Sequence, residues 1–144
     1  MGCCSTKDQL REQATTQKTK YNIVIGAGGG FTGIYSGYYI DTLGNISSWE
    51  GRIFSDTSLK HITTLSREQL DKIDEALLDN DILGTNYKNS GNTSSFFQLS
   101  KNNFKHSVSW SGVEPEEEVV PQNIREFHSK LRKIINDTIN KQSN

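Results

Sequence analysis

Cysteine is nearly absent from this chain, and the two that exist, Cys3 and Cys4, stand side by side at its start. No further thiol is available to pair with them, so no disulfide framework staples the body. Apolar runs are short, and none approaches the roughly 18 residues that a membrane-spanning helix needs. An excess of charge is missing too: 16 Lys and Arg stand against 17 Asp and Glu. A dedicated nucleic-acid binder depends on clustered cations meeting phosphates, and the charge balance argues against that class. What remains is enough for one domain of 144 residues. Ile, Leu, Val and Phe exceed the roughly 20% below which chains tend to stay disordered. The hydrophobic share is still only 33%. Part of the chain is therefore expected to lie outside the core.

The N-terminus carries the first functional signal. Met1-Gly2-Cys3-Cys4 is followed by a polar stretch, Ser5 to Lys20, whose only apolar members are Leu10 and Ala14. An acylated end followed by a water-soluble tether has this composition. In one chemistry Cys3 is the lipidated residue of a bacterial lipoprotein, with Met1-Gly2 left over from a signal peptide. In the other, Gly2 is myristoylated, since Met1-Gly2-Cys3-Cys4-Ser5-Thr6 fits M-G-x-x-x-[ST]. A neighbouring palmitoylated Cys4 would then supply the second chain that stable anchoring needs. The bland alternative is a tail with two free thiols. The Asn-, Ser-, Lys- and Ile-rich, Ala-poor body favours the bacterial version. Residues 1–20 are thus read as anchor and tether, 21–140 as a single domain and 141–144 as a frayed end.

Tyr21 to Ile25 opens the domain as a strand, and Gly26-Ala27-Gly28-Gly29-Gly30 is expected to break it. Alternation resumes from Ile34 to Ile40, turns at Asp41-Thr42-Leu43-Gly44-Asn45 and returns from Ile46 to Phe54. Leu59 to Thr64 either prolongs the sheet or leads into a helix. Ser66-Arg67-Glu68-Gln69 fits a capping box, with Leu65 and Leu70 placed as a hydrophobic staple. Leu70, Ile73 and Leu77 continue at helical spacing until Asp79-Asn80-Asp81. Gly84 to Thr93 reads as a polar loop. Ser94 to Leu99 and Phe104 to Trp110 form a second hairpin around Lys101-Asn102-Asn103. Pro121 suits the first turn of a closing helix striped by Ile124, Phe127, Leu131, Ile134 and Ile135. Strands arriving in hairpins predict an α+β fold, an antiparallel sheet of four to five strands with two helices on one face.

Gly28-Gly29-Gly30-Phe31-Thr32-Gly33 matches G-x-G-x-x-G after a strand, yet a dinucleotide fold needs a helix next. Ile34-Tyr35-Ser36-Gly37-Tyr38-Tyr39-Ile40 is strand-like instead, and no Lys follows Gly33 as a P-loop requires. The segment reads as a glycine-rich turn whose Phe31 is available as a contact for a partner. His61, His106 and His128 show no metal-ligand spacing. His106 is expected as a hydrogen-bonded core residue and His128 as a boundary residue. No G-x-S-x-G elbow occurs, and both cysteines lie in the tail. The acidic run Glu114, Glu116, Glu117 and Glu118 reads as a solvated connection. No catalytic centre, metal or cofactor is expected.

The order of elements, together with the Gly28–Gly33 turn, resembles the emfourin-like proteins, small bacterial inhibitors of thermolysin-type (protealysin) metallopeptidases. These carry a similar Gly-Gly-Phe-x-Gly turn near their start, and the likeness covers roughly Tyr21 to Ile135. The chain is also similar to small lipoproteins of Bacteroidetes-type bacteria, with a glycine-rich turn and a late strand ending in Trp, here His106 to Trp110. The resemblance implies structural weight for Gly29, Gly30, Phe31 and Gly33.

The sequence thus predicts a lipid-tethered, non-catalytic binding module of the cell envelope, facing periplasm or surface. Its partner would be a protein, met through Gly29, Gly30, Phe31, Thr32 and Gly33, and a peptidase inhibitor is the specific form the resemblance implies. A cytoplasmic location is the alternative. A toxin-neutralising protein using the acidic run is a variant. A carrier or sensor of a small ligand, its pocket lined by Tyr35, Tyr38, Tyr39 and Trp49, is the competing class.

Overall fold

The computed structural model describes residues 21–55, 59–89, 91–112, 115 and 119–143. The first strand, β1 (Asn22–Gly29), runs straight through the glycines expected to break it. Gly26, Gly28 and Gly29 are each paired on both sides, Gly26 with Gly37 and Phe96, Gly28 with Tyr35 and Ser94, and only Gly30 falls beyond the strand. A strand hydrogen-bonded on both edges tolerates residues with weak strand preference, because neighbours fix the backbone. β2 (Ile34–Ile40) follows in antiparallel pairing, and then β3 (Asn45–Gly51). Their connection is an Asx turn: Asp41 Oδ1 accepts from the N–H groups of Leu43 and Asn45, both at 2.9 Å. The return strand stops at Gly51, short of the expected Phe54.

β4 (Lys60–Thr64) adds a strand beyond β3, with a register shift between Ile46 and Ser47. The chain then enters α1 (Arg67–Asp79) through the expected capping box. Ser66 Oγ accepts from the Gln69 N–H at 3.2 Å, and Gln69 Oε1 accepts from the Ser66 N–H at 2.9 Å. Leu65 and Leu70 are both buried, as a staple requires. The helix ends where the Asp79-Asn80-Asp81 cluster predicts, Asp81 taking a left-handed φ of 47° before a single 3-10 turn, Ile82–Gly84.

β5 (Thr93–Lys101) and β6 (Phe104–Ser111) form the second hairpin, turning at Asn102. The closing helix, α2 (Gln122–Ser143), extends past Asn140. The sheet order is β4-β3-β2-β1-β5-β6, all antiparallel, so among the described residues six strands form where four to five were expected. Part of the polar loop lies along the outer edge of β6, with Asn89 donating to Ser109 O and Ser109 to Tyr87 O, each at 3.1 Å. That contact covers backbone groups an edge strand would otherwise leave open.

The core lies between the helices and one sheet face. Ile23, Ile25, Ile40, Ile46, Phe97, Leu99, Val108 and Trp110 come from the sheet, Leu70, Ile73 and Leu77 from α1, and Ile124, Phe127, Leu131 and Ile135 from α2. Gln69 Nε2 also reaches Thr138 Oγ1 of α2 at 2.6 Å, tying the start of one helix to the end of the other.

Candidate functional site

Pairing of β1 with β2 persists to Gly29 and Ile34, which leaves Gly30-Phe31-Thr32-Gly33 as a short tip on two fixed strands. Gly30 and Gly33 take φ of 71° and 67°, a left-handed backbone that side chains with a Cβ rarely adopt. Nothing crowds Gly33 within 4 Å, so its backbone angle alone explains the glycine. Two hydrogen bonds hold the tip: Gly30 N–H donates to Asn92 O at 2.8 Å, and Ile34 N–H to Thr32 Oγ1 at 3.2 Å. Phe31 stands entirely in solvent, at 110% relative exposure. All five residues read from the sequence as a contact therefore sit together at one end of the sheet.

Sequence reasoning did not single out Ile53. Tyr35 pairs with Gly51, so the segment carrying Ile53 leaves the sheet at the same end as the tip. Ile53 and Ile34 are both exposed at that end. The usable signal was the apolar pair Ile53-Phe54, in which Phe54 packs against Tyr39 and Trp49 while Ile53 stays exposed.

The four rings expected to line a ligand pocket are not brought to one place. Tyr35, Tyr39 and Trp49 lie on the sheet face away from the helices, in ring contacts with Phe54 and Phe96. Tyr38 packs against the core on the opposite face. Trp49 is only 3% exposed and fills its own space. Its Nε1 donates to the carbonyls of Ile25 and Tyr38, both at 3.3 Å.

The histidines remain scattered. His61 is exposed, its Nε2 3.5 Å from Thr64 Oγ1. His106 keeps its place on the apolar strand face, but its Nε2 is buried with no hydrogen-bond partner in the structure. His128 is a correction: it is buried at 3% exposure, edge-on to Trp110 with ring centres 4.8 Å apart. Burial, and secondarily the Arg132 charge, lowers its pKa from 6.5 to about 4. Among the described residues no group of three His, Cys, Asp or Glu side chains is placed to hold a metal ion.

Gly2, Cys3 and Cys4 lie outside the described residues, as do Glu114, Glu116, Glu117 and Glu118. No described helix is long and apolar enough to cross a membrane. No protein-family model matches this chain, and no curated protein matches it.

Proposed function

We propose that the chain is a lipid-tethered, non-catalytic binding module that works by surface complementarity. The observation that carries this reading is Phe31, a whole aromatic side chain held in water on a tip whose backbone is fixed. Burying such a ring in a partner's pocket is worth roughly 1.5–3 kcal/mol. Because the flanking strands and two hydrogen bonds already order the tip, little of that gain is spent on ordering it. Ile34 and Ile53 extend the apolar contact.

The partner is a protein with an apolar-pocketed cleft, and inhibition of a thermolysin-type metallopeptidase is the specific form. The Gly-Gly-Phe-x-Gly likeness supports it, with Gly30, Phe31 and Gly33 in the tip and Gly29 in the strand that leads into it. The anchor is an acyl chain on Cys3, or on Gly2 with Cys4, with the polar residues 5–20 as tether and the cell envelope as location. Titrating the full chain into a thermolysin-type peptidase, with peptide cleavage as the readout, tests the inhibitory form. Stoichiometric loss of cleavage that Phe31→Ala abolishes is expected; undiminished cleavage at saturating protein contradicts it.

A further inference from the structure

Two rows of paired residues cross the sheet on the helix side. One runs Trp110, Ser95, Ala27, Ser36, Glu50; the next runs Val108, Phe97, Ile25, Tyr38, Ser48, Lys60. Toward β6 both rows are buried, with Trp110, Ser95, Val108 and Phe97 at 2% exposure or less. Toward β3 and β4 they open into a cleft of about 610 Å³, lined by Ala27, Ser36, Tyr38 and Ser48. Glu50 and Lys60, both exposed, also line it, as does Arg132 from α2. That volume lies within the roughly 300–1,000 Å³ typical of small-molecule sites.

The chemistry of the cleft is unlike the core beside it. Positions facing the helix layer would normally carry apolar side chains, yet Ser36 and Ser48 bring hydroxyls. Arg132 is half-buried, and the ion pairs among the described residues join Glu68 to Lys72 and Lys133 to Asp137, leaving it out. A guanidinium offers a planar set of donors that matches a carboxylate. Lys60 adds a second cation, whereas Glu50 disfavours a multiply charged anion and accepts from a hydroxyl or ammonium donor.

We propose that this cleft binds a small molecule with one carboxylate that also bears hydroxyl or ammonium donors, a hydroxy acid or an amino acid. The carboxylate meets Arg132 and Lys60, and the donors meet Glu50, Ser36 and Ser48. The site is separate from the Phe31 tip and does not depend on its function.

The test is titration of the isotopically labelled full chain with gluconate and with glycine, followed through the backbone amide signals of Ser36, Ser48 and Lys60. Sorbitol and inorganic phosphate serve as the neutral and multiply charged comparisons. At least one of the two acids should shift those amides saturably, and more tightly than either comparison. Arg132→Gln should weaken it about tenfold or more, as loss of a charge-assisted pair does. Lys60→Gln, at an exposed position on the edge strand, should weaken it without touching the core, and Phe31→Ala should leave it unchanged. Silence of those amides toward both acids overturns the proposal. So does an equal response to sorbitol or phosphate, or binding that survives both charge-removing variants.

Discussion

Trp49 occupies the space that a side chain at Gly26 would need: a Cβ there would lie 2.5 Å from Trp49 Cζ2. The two residues sit on strands separated by β2, so the indole spans a strand, crossing Gly37, the partner of both Gly26 and Trp49. Two glycines side by side make a flat channel for one ring. The indole N–H is satisfied by the carbonyls of Ile25 and Tyr38. This is how the sheet face without helices acquires its own packing.

Gly26→Ala should therefore destabilise the fold by about 1–3 kcal/mol, the usual cost of overpacking. Urea unfolding followed by tryptophan fluorescence measures it. An unchanged midpoint would show that the indole is free to move aside.

His128 sets an acid limit. Its neutral form is favoured in the folded state, where the pKa falls from 6.5 to about 4. The stability this contributes is complete above about pH 6.5 and is lost as pH falls toward 4, on the order of 3 kcal/mol in all. His128→Phe should flatten the unfolding free energy across that window. A variant as acid-sensitive as the parent would place the titrating group elsewhere.

At the start of α1, Ser66→Ala should cost about 1 kcal/mol, the ordinary worth of an N-cap. Gln69→Ala should cost more, because Gln69 also bonds Thr138 of α2. Equal midpoints for the two variants in urea would contradict a role for the helix-to-helix contact.

Intact-mass measurement of protein from its native host addresses the tether. An added acyl mass on Cys3, or on Gly2 with Cys4, is expected. A bare amino end with two free thiols would remove the anchor and leave only the binding body.

Some features are legible in a few neighbouring residues. The capping box and staple at Leu65–Leu70 lie within six residues, and they place the start of α1 correctly. Asn102 in its turn and the Phe31 tip between glycines are equally local. The continuation of β1 through Gly26–Gly29 was hidden, because the reason for Gly26 is Trp49, which is remote in the chain. His128 was misplaced because only its contact with Trp110 decides which flank of the apolar stripe is covered. The Arg132 cleft needed the strand register, which aligns Ser48 with Tyr38 and Lys60.

The most direct measurement compares affinity capture from the native host by the full chain and by Phe31→Ala, quantified by mass spectrometry beside their thermal midpoints. One protein held by the parent chain and lost with Phe31→Ala, at equal midpoints, is the predicted result. Identical captures, or a collapse of the variant's midpoint, would mean that Phe31 is not the contact.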